Sequence, residues 1–188
     1  MNAYVILMRG INVGGKNKIR MAELRLRLEE LGLEDVATYV QSGNVVLRSD
    51  LDAASLSAKI EDMLPRRFEL DSSIVRVVAL DYATFKKIVA QAPEGFGTDT
   101  ASYRDNVIFF ADSSPTEAMP QFEAREGVDT VWQGDHAVYF RNSVPNASKS
   151  RLNRITQQPI YRSITIRNSN TTTKVLKLLE RARAELMP

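Results

Sequence analysis

The apolar run Tyr4-Val5-Ile6-Leu7-Met8 predicts a buried strand. It passes into a polar, glycine-rich stretch and then into Met21, Leu24, Leu28 and Leu31, which repeat at helical spacing and end at Gly32, a natural C-terminal cap. Val36–Val40 and Asn44–Arg48 predict two strands, with Ser42-Gly43 between them as a tight hairpin turn. Leu56, Ile60, Met63 and Leu64 mark a second helix, which Pro65 ends or closely follows. Ile74–Leu80 predicts a fourth strand. Asp81 is then placed to cap a helix carrying Phe85, Ile88 and Val89.

Residues 93–105, with Pro93, Gly95, Gly97 and several small polar residues, predict a linker. Beyond it the order returns. Asn106–Ala111 predicts a strand, and Ser114-Pro115-Thr116-Glu117 has capping-box spacing with proline at the first helical position. Pro120 should keep that helix short. Val131–Gln133 and Ala137–Arg141 predict strands joined through Gly134-Asp135. Leu152 and Ile155 predict another helix, Ser163–Arg167 a strand, and Thr171–Leu186 a final helix with Val175, Leu178, Leu179 and Ala182 inward. The expected fold class is therefore α+β, as two ferredoxin-like (βαββαβ) halves, 1–92 and 106–188, with antiparallel or mixed sheets. Tyr4–Met8 and Asn106–Phe110 should be central strands. One local echo, Val40-Gln41-Ser42-Gly43-Asn44 against Trp132-Gln133-Gly134-Asp135-His136, supports a repeat.

Composition narrows the chemistry. The 188 residues contain no cysteine, which removes disulfides, thiolate catalysis and cysteine-ligated metal. The single histidine, His136, makes a zinc site unexpected, and no metal or cofactor is expected. No apolar run approaches the ~20 residues of a membrane span. The first apolar stretch also lacks the basic lead of a signal peptide. A cytoplasmic protein with no membrane contact is expected. Net charge is +2, but the cations are segregated: Arg9, Lys16, Lys18 and Arg20 precede the first acid, Glu23, and no acid falls between Arg141 and Leu179. Such segments attract anions.

The loop Gly10-Ile11-Asn12-Val13-Gly14-Gly15-Lys16-Asn17 nearly matches the phosphate-binding pattern G-x-x-x-x-G-K-[ST]. Asn17 stands where a hydroxyl would ligate Mg²⁺, and the hairpins do not suit a parallel nucleotidase sheet. An anion nest with Arg9, Asn12, Gly14, Gly15, Lys16, Asn17 and Lys18 is expected instead, or a strain-relieving turn. Gln41, Ser42 and Asn44 could complete a ligand site or only close a hairpin. Arg167 and Asn168, before the last helix, form a second anion-site candidate or a plain cap. If the two basic ends meet, they form one site. A general base is not visible in these loops. Binding of a small anionic or phosphorylated ligand, or of nucleic-acid phosphate, is the leading expectation. The alternatives are an enzyme acting on a phosphorylated substrate with Asp105 or Asp112, and a metabolite-sensing regulatory module.

The segments Leu7-Met8-Arg9-Gly10-Ile11-Asn12-Val13-Gly14-Gly15-Lys16-Asn17, Met21, and Thr38-Tyr39-Val40-Gln41-Ser42-Gly43-Asn44-Val45 resemble the bacterial family of domain of unknown function 1697. A looser match, Thr165-Ile166-Arg167-Asn168-Ser169-Asn170-Thr171, has Ser169 where the family pattern has Trp, so no stacking is inferred there. The resemblance extends over essentially the whole chain. It implies an α+β fold with two similar halves and implies no activity.

Overall fold

Strand β1, Asn2–Arg9, is the axis of the first sheet. In this computed structural model, which describes residues 1–71 and 75–184, β1 pairs antiparallel with β3, Asn44–Ser49, on one side and β4, Arg76–Asp81, on the other. Strand β2, Glu34–Tyr39, adds to β3, giving the order β2-β3-β1-β4. Tyr4, Ile6 and Met8 alternate along β1 and share one core cluster with Val45, Leu47 and Val77. Helices α1, Met21–Glu30, and α2, Ala53–Arg67, contribute Leu24, Leu28, Leu56 and Ile60 to the same cluster. Val5 and Leu7, on the other face, are buried as well. That double burial explains why β1 reads as a continuous apolar run rather than an alternating one.

The second sheet repeats this order. Strand β5, Tyr103–Phe110, lies between β7, Val138–Ser143, and β8, Ile164–Asn168, with β6, Asp129–Gln133, outside β7. Every pairing in both sheets is antiparallel. Helix α3, Tyr82–Ala90, follows the first sheet, α4, Pro115–Ala118, follows β5, and α5, Ser169–Ala184, follows β8. The chain forms two compact units, Met1–Phe85 with Lys174–Pro188, and Lys86–Thr173, so the divisions fall within α3 and α5. The segment expected to be a linker, 93–105, includes the start of β5.

Local signals behave as their chemistry requires. At the end of α1, Gly32 adopts φ 80°; its N–H donates to the Glu29 carbonyl and that of Leu33 to Leu28, closing a Schellman motif. Asp81 accepts from the Thr84 N–H at the start of α3. Ser114 and Glu117 form the reciprocal capping box, and α4 passes into a short 3₁₀ turn at Pro120.

Several expectations are corrected. The β2–β3 hairpin closes through four residues, 40–43, not through Ser42-Gly43 alone, because Tyr39 pairs directly with Asn44. Gln133 likewise pairs with Val138 across residues 134–137. The structural equivalent of Asn44 is therefore Val138, not His136, and the sequence echo is two residues out of register. Pro65 lies inside α2, which runs two residues further: proline costs little where the helix is already ending. Leu152 and Ile155 sit on a 3₁₀ helix, Arg151–Gln157, rather than an α-helix. Helix α5 begins at Ser169, and Leu178 and Ala182 are only half-buried while Val175 and Leu179 are fully buried. Ile74 and Leu186 lie outside the described residues.

Candidate functional site

Between β1 and α1 the chain makes a hydrogen-bonded miniature hairpin. Gly10, Asn12, Gly14, Gly15 and Asn17 all have positive φ. Gly14-Gly15 is the two-residue turn with positive φ at both positions, bridged by the Lys16 N–H donating to the Val13 carbonyl at 3.0 Å. The Asn12 side chain organises the rest. Its Nδ2 donates to the carbonyls of Ile19 (2.9 Å) and Gln41 (2.8 Å), and its Oδ1 accepts from the Ile19 N–H at 2.8 Å. Asn17, buried, donates through Nδ2 to the Gly10 carbonyl at 2.7 Å. Asn tolerates the left-handed region because its amide can replace a local backbone bond.

The structure brings the glycine-rich loop and the 40–44 loop together, as one end of the first unit. Besides the Asn12–Gln41 bond, the Met8 N–H donates to the Gly43 carbonyl at 2.8 Å. Asn44, fully buried, donates to the Tyr39 carbonyl and to Ser42 Oγ, both at 3.0 Å. The polar side chains Asn12, Asn17 and Asn44 therefore maintain the loops. So do backbone N–H groups: Asn12 donates to the Asn17 carbonyl, Lys16 to Val13, and Asn17 to the carboxylate of Asp71 at 2.6 Å. Asp71, remote in sequence, is an acid at the edge of a segment that contains none.

The cations have a different fate. Lys16, Lys18 and Arg20 are exposed, while Asn17, Ile19 and Met21 between and after them are buried. Among the described residues no carboxylate pairs with these three. In contrast, Arg25, Arg27, Arg48, Arg66, Arg67 and Arg76 each have one. Arg9, at the end of β1, is half-buried. Two aliphatic tips share this end: Val13, 58% exposed, and Val40, 51% exposed. Val40 holds φ 50°, which is strained for a β-branched residue. Arg20 was counted from the sequence only as one of the cations of the acid-free segment, and the two valines were not expected; the inside–outside alternation of 16–21 sets Arg20 beside Lys16 and Lys18.

In the second unit, Arg167 is buried and donates to Thr165 Oγ1 at 2.7 Å and to the Ile166 carbonyl at 2.9 Å. Burial pushes its guanidinium down to about 10. Asn168 accepts from the Thr171 N–H at 2.7 Å and caps α5. Asp105, the carboxylate considered for catalysis, grips Arg141 through two bonds of 2.7 and 2.8 Å and accepts from the Gly97 N–H. Arg141 also donates to the Gly95 carbonyl and lies 4.7 Å from the ring centroid of Tyr103. His136 is exposed.

Tyr139 supplies a pH test. Its hydroxyl donates to the Ile88 carbonyl at 2.6 Å, and burial, with the charge of Asp135 second, pushes it up to about 12. The unfolded phenol ionises near 10. Its contribution to stability is therefore complete below pH 10 and is lost as pH rises toward 12. In urea titrations between pH 9 and 12, the stability difference between wild type and Tyr139→Phe should shrink with rising pH. A constant difference would exclude this linkage.

Among the described residues, no group of three or more His, Asp or Glu could hold a metal ion. No helix there is long and apolar enough to cross a membrane. An open cleft of about 500 Å³ lies at the opposite end of β1, where Arg183 stands 4.2 Å above the ring of Tyr82.

Residues 1–139 match the family described as protein of unknown function (DUF1697), and the chain belongs to that family. Among solved structures it is similar to the conserved bacterial protein SP0830 from Streptococcus pneumoniae, with 30% identity and a TM-score of 0.79 over 95% of this chain and 98% of that one. An unknown protein from Galdieria sulphuraria aligns at 10% identity with a TM-score of 0.25, over 89% of this chain and 96% of that one. Among curated proteins none matches.

Proposed function

We propose that this protein binds an anionic ligand at the loop end of its first unit, with Lys16, Lys18 and Arg20 supplying the charge. One observation carries the reading: these three cations fall within five residues, are exposed and have no carboxylate partner among the described residues. Pairing is the cheap default on a surface that carries both signs, and leaving three neighbouring cations unpaired raises the local potential. Support also comes from the hydrogen bonding of the loops beneath them, since Asn12 and Asn17 hold the backbone without using the charged side chains. We also read each unit as a ferredoxin-like module, on the strength of the shared strand orders β2-β3-β1-β4 and β6-β7-β5-β8.

Calorimetric titration with tripolyphosphate tests the binding. Lys16→Ala should weaken it by about 1 kcal/mol, modest because the contact is solvent-exposed. Lys59→Ala, an exposed cation of α2, should leave it unchanged, and EDTA should have no effect. Equal affinity in wild type and Lys16→Ala, or a requirement for a divalent metal, would refute the proposal.

A further inference from the structure

We infer that the anionic ligand at this end is a single-stranded nucleic acid, an inference that rests on the anion-binding reading above. Part of the loop backbone is already committed within the protein. A phosphate nest needs several N–H groups aimed at one point. Here the N–H groups of Asn12, Lys16, Asn17 and Ile19 are donated to Asn17, Val13, Asp71 and Asn12 respectively. Those four donors are withdrawn from any nest, and the exposed positive charge beside them is a ladder of side chains.

The ladder has a definite period. Lys16, Lys18 and Arg20 project outward at every second residue, while Asn17, Ile19 and Met21 are buried. Residues two apart have Cα atoms about 5.5–7 Å apart. A nucleotide repeat contains the same number of backbone bonds as two amino-acid residues, so consecutive phosphates of one strand recur at a comparable interval. Each cation can then meet its own phosphate.

The valines separate one strand from two. Val13 is the bridge partner of Lys16, and Val40 precedes Gln41, whose carbonyl is held by Asn12. Both expose more than half their surface, Val13 across the turn from Lys16 and Val40 at the tip of the neighbouring loop. A duplex presents phosphates and hides its base faces. A single strand presents both, so its unstacked bases and sugars offer the aliphatic tips an apolar partner that a duplex withholds.

Fluorescence anisotropy with labelled oligo(dT) and oligo(U) of about 12 nucleotides, against a duplex of equal length, tests this. The single strands should bind at least roughly fivefold tighter than the duplex at equal salt. In a Lys16→Ala/Lys18→Ala/Arg20→Ala variant, the slope of log K against log salt should become shallower by about 2, the release of three single-strand counterions. Val13→Ser should weaken single-strand binding without changing the slope. Duplex binding as tight as single-strand binding, or an unchanged slope in the folded triple variant, would overturn the inference. Binding of tripolyphosphate, or of phosphatidylglycerol vesicles, without oligonucleotide binding overturns it while leaving the anion-binding reading intact. Binding of none of these overturns both.

Discussion

Asp105→Ala is expected to lower stability by about 3 kcal/mol, the cost of removing a buried carboxylate and leaving the half-buried Arg141 guanidinium without its partner. Asp105 is 2% exposed at its side chain and takes both Nε and Nη2 of Arg141. The pair also holds the polar stretch before β5, through the Gly95 carbonyl and the Gly97 N–H. The low end of the usual range applies because 17% of the Arg141 side chain still reaches solvent. The carboxylate in turn holds the Arg141 guanidinium above its ordinary value, through the hydrogen bond first. Urea denaturation at pH 7 measures the loss. Asp105→Asn keeps the shape and one acceptor and should cost less than the alanine variant. A cost below about 1 kcal/mol for Asp105→Ala would mean that the pair does not anchor this segment.

Gly43→Ala should cost about 2–5 kcal/mol. Two terms add. The residue holds φ 74°, where a Cβ costs roughly 1–2 kcal/mol. That Cβ would also stand 2.8 Å from both Met8 Cβ and Ile11 Cδ1, and overpacking of this kind costs roughly 1–3 kcal/mol. Met8 Cβ belongs to the central strand and cannot yield. Gly14→Ala is the control: its Cβ would meet nothing within 4 Å, so only the conformational term remains. Denaturation of the two variants side by side separates strain from contact. Equal costs would show that the close approach of the 40–43 loop to β1 carries no energy.

These two sites mark the boundary of what the chain shows by itself. The elements were readable because each depends on neighbours in sequence. Apolar spacing places α1 and α2, Gly32 ends α1, the Ser114–Glu117 box starts α4, and the short loops after β2 and β6 announce two hairpins, while the pairings of β1 and β5 with β4 and β8 left antiparallel and mixed sheets both open. Gly14-Gly15 announced a turn, and the unpaired cations of residues 16–20 were visible as an acid-free stretch. Side-chain hydrogen bonding was not readable, because Asn is equally suited to a ligand and to a distant carbonyl. Only the fold assigns Asn12 to Gln41 and Asn44 to Tyr39, Asn17 to Gly10, and Asp71 to the loop backbone. Likewise Asp105 reads as an available carboxylate until β7 brings Arg141 opposite it. Local pattern determined which residues form helices and strands, since backbone geometry and burial repeat over a few residues. Tertiary pairing decided which polar groups remain available to a ligand, since a buried donor must find its partner wherever the fold supplies one.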